Sequence, residues 1–212
     1  MPTLRQVLTA HSPLLIIDAA SAKVQVGWMG ADGSANWETN DEEAGVGIFQ
    51  AIDRLGVQAQ EAGGFMFCEG PGSVLGIRTA AAAIRTWCAL RPRVVHSYLS
   101  LALVAHGLGR PEVSVIADAR RESWHRFDLN RGLARIATDE LRGELITPEN
   151  FRHWSTPPAN VKSAPYLLSD LLPRLLNHNV FQATDAPDAF LHEDPSYARW
   201  TPHIHRAPEK RP

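Results

Sequence analysis

The chain has 212 residues, enough for one substantial core or two small lobes that share an interface, and its hydrophobic (44%) and charged (21%) fractions are those of an ordinary folded protein. A net charge of −2 argues against strong nonspecific binding to nucleic acid, so any RNA contact has to come from a local patch or a partner. Cys68 and Cys88 make neither a disulfide framework nor a zinc pattern, no apolar run is long enough to cross a bilayer, and the N-terminus lacks a signal-peptide core, so a cytoplasmic protein is expected.

Residues 13–18, PLLIID, form a continuous apolar run ending in an acid, the pattern of a buried strand whose end opens onto a cleft. KVQVGWMG (23–30) alternates polar and apolar residues, ADG is a turn signal, and SANWET predicts a third strand that completes a meander. Residues 41–55 place Ala44, Ile48, Ala51, Ile52 and Leu55 at helical spacing, with Asn40 or Asp41 as the expected N-cap. A short buried strand at 63–70 leads through the turn EGPGS into a helix over 74–90. A strand at 92–98 and a helix at 100–108 follow, so the first half reads β-β-β-α-β-α-β-α.

The second half opens on the same meander, with strands at 112–122, 123–130 and 132–141 and Asp118 placed as Asp18 is in the first. TPENF (147–151) predicts a helix start with Pro148 at its first position, and 155–160 a loop. A leucine-rich helix with an internal proline is expected over 166–178, and a last short helix over 185–191. The tail from Glu193, rich in Pro, His and Arg, is expected to be irregular.

The turn at Gly70, Gly72 and Ser73 admits two readings. Free N–H groups and the helix dipole favour an anion there, yet no lysine follows as in a P-loop and the spacing is not that of a dinucleotide fingerprint. The competing reading is a strand-to-helix turn that needs glycine for geometry, with Ser73 as its cap. The run TAAAA (79–83) lets another element approach closely while Arg78 and Arg85 project from the same helix; the helix reads either as packed on its own sheet or, since alanine covers more than one side, as a subunit interface, the second being favoured. Asp18 and Asp118 read either as paired carboxylates around a metal–phosphate complex or as turn caps. Nine histidines show no HxxH, HxxxH or HExxH spacing, so no metal site is expected; His203 and His205 fall in the tail. No nucleophile elbow is present, and no catalytic residue is assigned.

Three segments, LLIIDAASAKVQVGW (14–28), GPGSVLGIRTAAAAIRTW (70–87) and IADARRESWHRFDL (116–129), resemble motifs of the TsaB (YeaZ) family in order and spacing. Those motifs are an I-D-T-S start, G-P-G-S-F-T-G-x-R opening a helix, and I-D-A-R-R-G-E-V-Y on a strand. DPSYARW (194–200) is similar to the family's P-x-Y-L-R tail. The resemblance implies an α/β fold of two actin/sugar-kinase-like (ribonuclease H-like) lobes, mixed sheets flanked by helices, over 1–109 and 110–212. It implies a non-catalytic subunit that pairs with a TsaD-like paralogue, and with a TsaE-like ATPase, in forming threonylcarbamoyladenosine next to the tRNA anticodon. Contact with tRNA would be indirect, ATP and Mg would be held through TsaD or TsaE, and the chain alone would be a homodimer.

In the family the first two helices of the N-terminal lobe make the interface. By position these are 41–55 and 74–90, which makes Ile48, Ile52, Leu55, Ile77, Arg78, Ala81, Ala82 and Arg85 the expected interface residues. The chain departs from the pattern there: NDEEAGVGIFQ replaces H-S-E-x-L-L-P, Val74-Leu75 replaces F-T, and RRESW lacks the glycine after the arginines. Two alternatives stand beside this reading. One is an ATP/Mg-binding phosphotransferase with Asp18, Gly70, Gly72, Ser73 and Asp118 around the nucleotide; the other is a homodimeric structural module.

Overall fold

The structure, a computed structural model, describes residues 1–190. The apolar run at 14–18 becomes the middle of a sheet: β1 (Leu14–Asp18) is buried at all five positions, so both its faces are covered. β1 pairs antiparallel with β2 (Val24–Met29), and β2 with β3 (Ala35–Asn40). On its other edge β1 pairs parallel with β4 (Gly64–Gly70), which pairs parallel with β5 (Val94–Leu99). The second sheet repeats this plan. β6 (Val113–Asp118), β7 (Ser123–Asp128) and β8 (Gly132–Ala137) form the meander, while β9 (Glu144–Pro148) and β10 (Lys162–Ala164) add in parallel on the far edge of β6. The orders β3-β2-β1-β4-β5 and β8-β7-β6-β9-β10 coincide, and Asp18 and Asp118 end corresponding strands. The chain is an α/β protein of two mixed sheets flanked by helices.

The lobes differ in how their parallel strands are joined. In the first, α2 (Ala44–Leu55) and α3 (Val74–Leu90) make the crossovers. In the second, a 3-10 turn at Thr138–Glu140 and the helix-free segment 149–161 do so. The helix expected at Pro148 does not form. Thr147 and Pro148 finish β9, where Pro148 lies opposite Ala164 at the strand end, and Asn150 turns left-handed (φ 64). The helix expected at 185–191 is also absent over its described residues, because the amide of Phe190 is drawn to Glu69 O (2.6 Å) and that of Ala189 to Asp188 Oδ1 (2.8 Å). α5 (Leu168–Arg174) is shorter than the expected 166–178, and Pro173 lies in its last turn.

One element was not among those expected. α1 (Leu4–His11) starts on a capping box between Thr3 and Gln6 and buries Leu4, Val7 and Leu8. α4 (Ser100–Leu108) contacts both sheets; Leu101, Ala102, Leu103, Val104 and Ala105 are all buried, the signature of a helix surrounded by core. β11 (Gln182–Ala183) pairs antiparallel with β5, so the chain after β10 returns to the first sheet and residues 110–190 are not confined to the second lobe. Nor is α2 capped by Asn40 or Asp41. Glu43 takes the cap position without a side-chain bond, while Asn40 spans the turn, donating from Nδ2 to Gly47 O (3.0 Å) and accepting from Glu42 N (3.1 Å). Among the described residues no helix is long and apolar enough to cross a membrane.

Candidate functional site

The glycine turn presses the start of α3 onto the residues that follow β1. A Cβ on Gly72 would lie 2.5 Å from Ala20 O, and one on Gly76 would collide with Ala19 O. Gly70 has φ 125, a region that only glycine enters readily. Ser73 caps α3, accepting from Gly76 N (3.3 Å), and its own amide donates to Ala20 O (2.7 Å). Ser100 Oγ donates to Pro71 O (2.5 Å). Glycine is thus required here by close backbone contact.

Beside this turn lies an interlobe cleft of about 700 Å³. Glu43, Gly45 and Ser73 line it from the first lobe; Asp118, Arg120 and Trp154 line it from the second. Arg120 stacks on the Trp154 ring at 4.4 Å. Asp118 accepts from the amides of Arg120 (2.6 Å), Trp154 (2.7 Å) and Ser155 (2.5 Å), and from Ser155 Oγ (3.3 Å). Partial burial opposes its ionisation, but these donors outweigh that and hold the carboxyl below its ordinary range.

Asp18 is placed differently. It is wholly buried and does not line the cleft. Its Oδ2 accepts from Tyr98 Oη (2.8 Å) and Tyr166 Oη (2.6 Å), and its Oδ1 from Ala20 N (2.9 Å). Burial raises its pKa, and the bonds from Tyr166, Ala20 and Tyr98 offset that only in part. Cys68 beside it is also pushed well up, by burial first and then by the Asp18 charge. The two strand-end aspartates are thus placed differently: Asp118 is on the cleft wall and Asp18 is in the core. Tyr98, Tyr166 and Gln25 complete the Asp18 site, and no local spacing in the sequence announces them.

The outer face of α2 and α3 is the other open feature. Ile48, Ile52, Ile77 and Ala81 point into the first lobe's own core, and Leu55 is half-buried. Ala82 and Arg85 are exposed, as is Arg78, which pairs with Asp188 at 3.3 Å. Besides Leu90 (73%) at the end of α3, four apolar residues that the spacing did not single out are exposed instead: Val46 (49%), Phe49 (47%), Val74 (45%) and Leu75 (73%). Phe49 meets Trp87 edge-on at 6.2 Å, and Trp87 stacks on Phe65 of β4 at 5.6 Å, so the two helices share an anchor in the sheet. Helical rotation explains the split within the alanine run, since Ala80, Ala81 and Ala83 face inward while Ala82 faces out.

The structure of YeaZ from Pseudomonas aeruginosa matches with a TM-score of 0.55 at 18% identity, over 76% of this chain and 89% of that one. The fold is that of YeaZ. A second solved structure, described as an uncharacterized protein with similarity to peptidase YEAZ from Pseudomonas aeruginosa, matches with a TM-score of 0.53 at 17% identity, over 76% and 88% of the two chains. No family model and no curated protein matches the sequence. Within this YeaZ fold the cleft and the outer face of α2 and α3 adjoin, because Val74 and Leu75 belong to both. The segment DPSYARW, His203 and His205 lie outside the described residues.

Proposed function

We propose that the chain is a divergent member of the TsaB (YeaZ) family that acts as a non-catalytic partner subunit. It docks a TsaD-like paralogue through the outer face of α2 and α3, a TsaE-like ATPase engages the pair, and the assembly forms threonylcarbamoyladenosine next to the tRNA anticodon in the cytoplasm. Without that paralogue the same face pairs two copies of the chain. One observation carries the reading: on a YeaZ fold, the two helices leave Val46, Phe49, Val74 and Leu75 uncovered. Fully burying a side chain of that kind is worth about 1.5–3 kcal/mol, so the exposed set favours a lid of protein. Any ATP and Mg belong to the partners on this reading, and the sequestration of Asp18 by two tyrosines supports it over phosphoryl transfer in this chain's own cleft.

Co-expression with the TsaD of the same organism tests the proposal. Co-elution is expected, together with loss of the modified nucleoside when the gene is deleted. Leu75→Glu is expected to abolish co-elution while leaving the melting temperature of the lone chain within about 2 °C, since an exposed surface change costs at most about 0.5 kcal/mol. Co-elution that survives Leu75→Glu would remove the assigned face, and a normal nucleoside level in the deletion strain would remove the function.

A further inference from the structure

Segment 150–168 runs along the junction of the lobes and is gripped at successive points. Asn150 O accepts from Ala22 N (2.7 Å), in the turn after β1. The amides of Trp154 and Ser155 donate to Asp118. Phe151 meets Tyr166 edge-on at 5.1 Å, and Tyr166 Oη reaches across to Asp18. Gln25 then brackets the same stretch, donating from Nε2 to Tyr166 O (3.0 Å) and accepting from Leu168 N (2.9 Å). Between the grips, residues 156–160 stay largely at the surface, while Arg152 and Trp154 form part of the cleft wall.

We infer that segment 150–168 is a strap that sets the width of the interlobe cleft, fixed to the second sheet by β10 and closed on either side of it by the two topologically equivalent aspartates, Asp118 through the backbone of Trp154 and Ser155 and Asp18 through Tyr166. The strands β1 and β6 bring both carboxylates to the ends of their sheets, where each meets the strap. The two grips differ in strength. The Asp18 grip is fully buried and closed by two hydroxyls and an amide, whereas the Asp118 grip is partly exposed, so water competes for it. The Asp118 grip therefore releases first, carrying Arg152 and Trp154 away from the cleft while Tyr166 stays anchored. This inference stands apart from the partner reading, since it concerns the lone chain.

Amide hydrogen exchange on the full chain tests it, with three variants. Asp118→Asn is expected to speed exchange over 150–158 at least tenfold and to leave β1 and β4 unchanged. Tyr166→Phe is expected to speed exchange over 165–168, beyond β10, which β9 continues to hold. Tyr98→Phe removes a bond to the same carboxylate and touches the strap only at the Tyr166 hydroxyl, leaving the Tyr166–Asp18 bond in place, so acceleration over 150–168 should be well below that of Tyr166→Phe. Cleft width is read by alkylation of Ala44→Cys, on the opposite wall, with a bulky maleimide; adding Asp118→Asn should raise the rate at least fivefold. Parent-like exchange over 150–158 in Asp118→Asn, equal acceleration of the strap by Tyr98→Phe and Tyr166→Phe, or unchanged alkylation would each overturn the proposal. If Tyr166→Phe fails to fold, the Asp118→Asn exchange and alkylation results decide by themselves.

Discussion

Asp18 and Asp118 occupy equivalent strand ends, yet their environments push their titrations in opposite directions. Burial raises the Asp18 pKa in the folded state, so its contribution to stability is fully present below the unfolded pKa and is lost as pH rises through the folded value. The Asp118 pKa is lowered, so its contribution is present above the unfolded pKa and is lost as pH falls through the folded value. Asp18→Asn is therefore expected to gain on the parent as pH rises from about 4 toward 7. Thermal melts of the two proteins across that range provide the measurement, and a constant difference would mean that Asp18 does not titrate there. The β6–β7 turn offers a second test. Arg120, Arg121 and Glu122 are all left-handed (φ 63, 51 and 56) with no glycine among them. The left-handed region costs a non-glycine residue about 1–2 kcal/mol, partly offset by the greater freedom of glycine when unfolded. Glu122→Gly is thus expected to stabilise the chain by up to about 1 kcal/mol in urea denaturation, because the bond from Thr138 N to Glu122 O uses only backbone.

At the scale of elements, α3 has two faces that the alanine run disguises. Ala81 is fully buried against the first sheet, and Ala82, one residue on, is exposed. Ala81→Glu buries an unpaired carboxylate and is expected to cost several kcal/mol, enough to unfold a chain of ordinary stability. Ala82→Glu is expected to leave the melting temperature nearly unchanged and to weaken association, read by size exclusion at several concentrations. If both substitutions unfold the chain, the outward placement of Ala82 is wrong. The meanders, the strand at 64–70 and the helix at 100–108 are all readable from their periods. The false helix at Pro148 shows the limit: proline suits a strand end as well as a first helical turn, and only pairing with Ala164 separates the two.

For the whole molecule, the two sheets do not form separate cores. Val113, Val115, Phe127 and Ile146 of the second lobe belong to the same buried cluster as β1, β4 and α4, while Ile116, Trp124, Leu141 and Leu145 form a smaller one beyond it. A shared core couples the lobes, so one cooperative unfolding transition is expected, with calorimetric and van't Hoff enthalpies in agreement. Trp124 is wholly buried and its Nε1 donates to Thr138 Oγ1 (3.0 Å). Trp124→Ala is expected to lower the single midpoint by the equivalent of about 3–5 kcal/mol. Two resolved transitions in calorimetry would show instead that the second lobe unfolds alone.

The sequence by itself determined the two repeated meanders, the glycine turn and its serine cap, because each follows from residues close in the chain: alternation, apolar runs, a cap three residues from its donor. It also carried the signal for α1, in the Thr3–Gln6 spacing. Only the tertiary structure decided which alanine faces out, and that Val46, Phe49, Val74 and Leu75 rather than Ile48, Ile52 and Ile77 form the open surface. It alone made Asp18 the partner of Tyr98 and Tyr166, 80 and 148 residues away, and turned two candidate phosphate-site acids into the two grips on one segment. The physical reason is range. A period reports which face of an element avoids water, but what covers that face, and which distant hydroxyl satisfies a buried carboxyl, depends on how the lobes come together.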